Sequence, residues 1–327
     1  MSVKQIEMIK GARKLVDDCT KVKEGELVLI ITDTGMPFSI AETIAMAARE
    51  RGAEVMISLM SPRPIEGNDP PLPIVQAMQS ADVIFMACSR SIFHSPSRVQ
   101  AAKNGARGIS ITEFTEDDMF RGAIEADFLE TKDLIQKVVE KLRKANEARI
   151  STAAGTDLYL DLKGRGEGVV GLNNLCHNPG QFGVLILEAS TSPNVGTAQG
   201  TIVCNASITL LKPGLINEPV VARVKDGMVT EITGGAEARK LNDLLAAMSD
   251  PMVYNVAELG IGLNPKAKMT GVQTQDEGVF GTAHIGVGSN ITWGGKIKAA
   301  THFDFIMYSP KIELDGKVLL ENYHFNL

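Results

Sequence analysis

The sequence predicts an α/β domain on a parallel, doubly wound sheet, followed by a mostly antiparallel β domain that carries the candidate metal ligands. Three observations predict it. Short β-branched runs alternate with helical spacing through residues 1–150. Over residues 151–327 the helical patterning thins, and short alternating strands with D-G turns take its place. The last third of the chain also gathers histidines and acids at ligand-like spacing.

The elements follow in order. Residues 4–20 carry helical spacing, with Ile6, Ile9, Leu15 and Val16 able to share a face. Glu24-Gly25 breaks the pattern, and residues 27–31 (LVLII) read as a buried strand. Thr32-Asp33-Thr34-Gly35 then leads into an Ala-rich helix over 40–51, for which Ser39 and Glu42 are spaced as a capping box. Strands are expected at 55–59, 83–87 and 108–111, with helices at 73–80 and 95–104 between them. A long charged helix over 131–149 closes the domain, with Leu134, Val138, Val139 and Leu142 on one side. In the second domain, 157–162, 183–187, 201–211 and 220–224 read as strands. Asp226-Gly227 and Asp315-Gly316 mark hairpin turns, and one helix is expected at 236–248.

Composition narrows the function classes. The chain has 327 residues, 44% apolar and 22% charged, which are globular values and enough for two cores. The net charge is -6 and no block of Lys or Arg stands out, so a nucleic-acid partner is not expected. No apolar run approaches the ~18 residues of a membrane span, and the charged N-terminus does not read as a signal peptide. The four cysteines form no C-x-x-C pair, as expected of reduced thiols in a cytoplasmic protein.

The chemistry concentrates late in the chain. His302 and Asp304 stand one residue apart, so in a strand an imidazole and a carboxylate share a face. His284, Glu277 and Glu258 lie upstream, and two of only five histidines fall in this stretch. Spacing alone leaves two readings open: a site for Zn, Mn, Co or Fe(II), or a polar salt-bridge cluster. The turn at 32–35 is either structural or an anion contact at a helix N-terminus. Arg90 and Ser91 follow a predicted strand at the sheet edge where α/β folds bind ligands, and are candidate substrate contacts or solvated loop residues. His177 beside Pro179-Gly180 reads as a loop hydrogen-bonder. Trp293 can pack on a flat substrate or belong to the core. No nucleophile elbow or catalytic thiolate context is present.

These residues carry a resemblance. The segments A-E-L-G-I-G-L-N-P, D-E-G-V-F-G-T-A-H-I-G-V-G and T-H-F-D-F, with the terminal D-G hairpin, resemble the thermophilic metallo-aminopeptidases (aminopeptidase T-like, often labelled leucyl aminopeptidase) across residues 170–320. The resemblance implies divalent-metal ligation by Glu258, His284, His302 and Asp304. It also implies that Gln181, in Pro179-Gly180-Gln181, replaces a further metal-binding glutamate, and that Ile291 replaces a tyrosine. A neighbouring branch, the 2,5-dihydroxypyridine 5,6-dioxygenases, is also similar, through G-A-E-V, S-A-D-V-I and S-R-S in the first half and the H-x-D pair. That branch implies a mononuclear Fe(II) ring-opening enzyme with a histidine where this chain has Glu258.

The function expected from residues and resemblance together is a metal-dependent hydrolase of a small amide or peptide-like substrate. Glu277 is the candidate general base, and Gln181 and Trp293 join Arg90 and Ser91 as candidate substrate contacts. An Fe(II) ring-cleaving dioxygenase is the alternative, and a catalytically silent binding protein a third. A homodimer is expected from the resemblance alone.

Overall fold

The computed structural model describes residues 3–327, and the chain divides into two units. The first comprises residues 1–130 and 173–186, the second 131–172 and 187–327. The division therefore differs from a single boundary at 150: the chain leaves the first unit at 130, returns for fourteen residues, and leaves again.

The first unit holds a five-stranded parallel sheet. Its order is Glu54–Met60, Leu27–Asp33, Val83–Ala87, Arg107–Ser110, Phe182–Val184. The central strands Leu27–Asp33 and Val83–Ala87 are apolar because both faces are covered; nearly every residue of them is buried. The last strand was expected within the β domain. It instead extends the parallel sheet, pairing Gly108 with Phe182 and Ser110 with Val184.

Three other local expectations shift. The first helix spans Val3–Arg13 and continues as a wider π turn over Lys14–Cys19. The helix Phe38–Glu50 is capped by Pro37, with no side-chain cap, and Ser39 instead donates to Glu116. The long helix spans Phe128–Lys144, and Glu147–Ser151 is a strand, because Ala148 and Ile150 alternate with exposed neighbours at the period of two.

The second unit contains two antiparallel sheets. The larger has eight strands and includes both D-G hairpins, Val220–Lys225 with Met228–Thr233 and Lys311–Leu314 with Lys317–Glu321. Asp226-Gly227 and Asp315-Gly316 sit at positive φ in each residue, the geometry two-residue hairpins require. The helix Ala236–Ala247 follows the first hairpin. The smaller sheet has six strands in the order Ser207–Ile208, His302–Met307, Ala283–Gly288, Val256–Gly262, Glu188–Thr191, Val170–Leu172. Leu259, Ile261, Ile285, Val287, Phe303 and Phe305 are all fully buried along its three central strands. Each contributes ~1.5–3 kcal/mol by leaving water, so the sheet that carries the polar cluster is also part of the core. No helix among the described residues is long and apolar enough to cross a membrane.

Candidate metal centre

The ligand face of the six-stranded sheet follows from its register. Gly260 lies opposite His284 and Ser190, and Gly286 lies opposite both Glu258 and Asp304. Gly288 faces His302, and Gly262 faces Glu188. Side chains two apart share a face, so Glu188, Glu258, His284, His302 and Asp304 all project from one side with glycines between them. The large apolar residues that alternate with them point to the other side. The glycines are a steric requirement. A Cβ on Gly260 would overlap the His284 imidazole, and one on Gly286 would lie 2.6 Å from His302 Cε1 and 2.7 Å from Glu258 Cβ.

The donors converge in two groups that share Glu258. His284 Nε2 lies 3.3 Å from Glu188 Oε2 and 3.7 Å from Glu258 Oε1. His302 Nε2 lies 3.0 Å from Glu258 Oε2 and 3.5 Å from Asp304 Oδ1. In each group one ligand atom per residue falls within 4.8 Å of the others. All but His302 are almost completely buried.

Outer contacts orient the ligands. His302 Nδ1 pairs with the Ser289 carbonyl at 2.8 Å, which assigns its proton to Nδ1 and leaves Nε2 as the donor to a metal. Thr209 accepts from the Asp304 backbone N–H at 2.8 Å and donates to Asp304 Oδ2 at 3.2 Å, leaving Oδ1 unbonded. Ser190 donates to Glu188 Oε1 at 3.2 Å, leaving Oε2 unbonded. Glu258 Oε1 likewise has no hydrogen-bond partner. Three buried carboxylate oxygens without hydrogen bonds, beside two imidazole nitrogens, fit a divalent cation.

Burial alone would lower both histidines. For His284 the attraction of Glu188 and Glu258 outweighs it, and for His302 that of Asp304 and Glu258, so both imidazoles hold their protons well above the ordinary range. Burial pushes Glu188 up. Burial also pushes Asp304 up, but His302 and His284 overcome it and hold the carboxyl well below the usual range. Glu277 is raised well above the ordinary value, first by burial and then by the charge of Asp304.

The other expected site residues are placed as follows. Glu277 is buried, its Oε1 accepting from Gln273 Nε2 at 2.8 Å, and it interacts with Asp304. Gln181 lies in the first unit, where its side chain accepts from the Asn178 backbone. The expected loss of a carboxylate at that position is corrected by Glu188, which supplies one beside His284. Arg90 donates to the Pro64 carbonyl and Ser91 accepts from Phe93, both within the first unit. Trp293 is 9% exposed and does not offer an open platform; its ring lies 5.0 Å from that of His302. His177 pairs with the Asp18 carbonyl. At the 32–35 turn, Asp33 takes the N–H groups of Gly35 and Ser89, so the turn serves its own carboxylate.

Sequence reasoning missed Glu188, Ser190 and Thr209. The signal for Glu188 was present: L-E-A-S alternates buried apolar and polar residues, as A-E-L-G-I-G and H-I-G-V-G do. Read together, the three segments place their polar or glycine positions on one face.

Comparison with known proteins agrees with this architecture. The NicX family model, 2,5-dihydroxypyridine 5,6-dioxygenase, matches residues 7–326. A 2,5-dihydroxypyridine 5,6-dioxygenase of Pseudomonas putida is 27% identical over 263 residues, covering 75% of this chain and 71% of that protein. The solved structure of 2,5-dihydroxypyridine dioxygenase from Pseudomonas putida superposes with a TM-score of 0.85 at 22% identity, covering 99% of this chain and 98% of the other. Wild-type AmpT from Thermus thermophilus shares the fold, with a TM-score of 0.70 at 13% identity over 98% of this chain and 99% of its own. With its family model matched almost end to end, the chain belongs to the 2,5-dihydroxypyridine 5,6-dioxygenase family.

Proposed function

We propose that this protein is a metal-dependent dioxygenase that opens a hydroxylated pyridine ring, with Fe(II) as its ion. The observation that carries the reading is the donor set: two imidazoles and three carboxylates with unbonded oxygens, converging on one buried sheet face. The family match across residues 7–326 supports the reaction class over the hydrolase first expected. His302 and Asp304, with Glu258, would hold the ion in one donor group; His284 and Glu188, with Glu258, make up the other. Imidazole with carboxylate is the donor chemistry of non-haem Fe(II) oxygenases, and the ion when bound supplies the activation of oxygen.

The chain's own residues supply the rest. Glu277, buried and inclined to keep its proton, stands next to Asp304 as the proposed acid–base residue. Ser289 and Thr209 hold His302 and Asp304 in their ligating orientations. The apolar residues beneath the ligand face keep water from that side.

The test is an oxygen measurement. Protein loaded anaerobically with Fe(II) and given 2,5-dihydroxypyridine is expected to take up oxygen as the ring absorbance disappears. No uptake with this or related hydroxylated pyridines would overturn the reading.

One observation favours a second reading, a metal-dependent amide hydrolase: Glu258 turns one oxygen to each donor group, as a carboxylate between paired ions would. Amide cleavage by Zn- or Mn-loaded protein without oxygen uptake would select it. We further propose a homodimer, on the resemblance noted above. Sedimentation at micromolar concentration showing only a 35.1 kDa species would refute it.

A further inference from the structure

We infer that Trp293 is a positioning residue that sets Glu188 and His302 together, one ligand from each donor group. The inference rests on the metal reading proposed above. Trp293 is the only tryptophan in the chain, and it is buried. Its indole makes two contacts with the ligand set. Nε1–H donates to Ser190 Oγ at 2.9 Å, and the Ser190 hydroxyl in turn donates to Glu188 Oε1 at 3.2 Å. Because the indole supplies a proton to the Ser190 oxygen, the serine's own proton is directed to Glu188. That pins Oε1 and leaves Oε2 facing His284 Nε2 at 3.3 Å. The indole also lies against the His302 ring, with centroids 5.0 Å apart and planes inclined by 31°.

The segment bearing Trp293 is fastened where these contacts need it. Asn290 Nδ2 donates to Ser192 Oγ at 3.3 Å, while Asn290 Oδ1 accepts from the Ile297 N–H at 2.9 Å. Arg165 bridges the two chain segments, donating to the Ser192 carbonyl at 3.0 Å and the Trp293 carbonyl at 2.9 Å. The Ser289 carbonyl at the start of the same segment holds His302 Nδ1. One loop therefore braces His302 at its ring face and its Nδ1, and reaches the Glu188 strand through Ser190. A phenylalanine would fill much of the same space, but could not direct the serine proton.

Co(II) added to metal-free protein tests this, because Trp293 emission and the cobalt visible spectrum read the site without turnover. In the wild type, Co(II) is expected to quench Trp293 saturably and to develop its ligand-field bands in parallel. Trp293→Phe and Ser190→Ala are each expected to weaken Co(II) binding by ~10–100-fold, the usual cost of losing an outer-shell partner. The double variant should be no weaker than the worse single one, since both act through one link. Ser190→Ala removes a single oxygen atom and retains the tryptophan, so it decides the matter if Trp293→Phe does not fold. Unchanged cobalt affinity and spectrum in Ser190→Ala would overturn the inference and leave the metal reading intact. Additive losses in the double variant, or cobalt binding without quenching in the wild type, would overturn it as well. Failure of the wild type to bind Co(II) would remove both.

Discussion

Glu258 is the side chain on which the two donor groups depend, since its two oxygens face different histidines. Glu258→Gln should therefore reduce divalent-metal affinity by more than the ~10–100-fold typical of outer-shell changes, measured by competition with a chelating dye. The protonation of His284 and His302 sets a second expectation. Both hold protons above the ordinary imidazole range, so a metal must displace them. Affinity should be weak at low pH, rise as pH climbs through those raised values, and level off above them. Calorimetric titration in two buffers of different ionisation enthalpy should show proton release; the same heat in both would contradict it. Of these residues, Glu258, His284, His302 and Asp304 were legible from spacing and resemblance. Glu188 was missed, because the alternation in L-E-A-S marks a ligand strand only when it is set beside A-E-L-G-I-G and H-I-G-V-G. The register then sets it opposite Gly262.

At the level of elements, alternation was readable and return paths were not. The β-branched runs and D-G pairs marked their strands because their chemistry is local. The strand Phe182–Val184 pairs with Arg107–Ser110, more than seventy residues earlier, and nothing in F-G-V says which sheet it joins. The same holds for the glycines of the ligand face. Gly260→Ala would drive a methyl group into the His284 imidazole. It should cost ~1–3 kcal/mol of stability as overpacking and lower metal affinity in parallel, read by urea unfolding and metal titration on the same preparation. Destabilisation without loss of affinity would mean that His284 is not a ligand.

Another element-level device is the Arg107 side chain at the start of its strand. It donates to the Thr20 and Lys21 carbonyls and to both oxygens of Glu26. Burial pushes Glu26 up, but its bonds from the Arg107 guanidinium and the Lys23 N–H outweigh it and hold the carboxyl below the ordinary value. The sign is therefore that of a depressed acid: the contribution is present above the unfolded-state pKa and lost as pH falls through the lowered one. Urea unfolding from pH 7 down to pH 3 should show the wild type losing more stability than Arg107→Met; equal losses would contradict the pairing.

At the scale of the whole molecule, each unit builds its own sheet system, and the donors of the proposed centre all come from the second. Composition and periodicity were enough for the two-part fold class. They could not show that the chain visits the first unit twice, since a fourteen-residue return carries no compositional mark. The chain belongs to a dioxygenase family, and Glu258 and Glu188 give it a donor set rich in carboxylates. The direct measurement is anomalous diffraction from crystals grown with Fe(II) under anaerobic conditions. A peak at bonding distance, about 2.0–2.3 Å, from His302 Nε2, Asp304 Oδ1 and Glu258 is the predicted result. A metal-loaded crystal whose only anomalous peaks lie away from these side chains would contradict it.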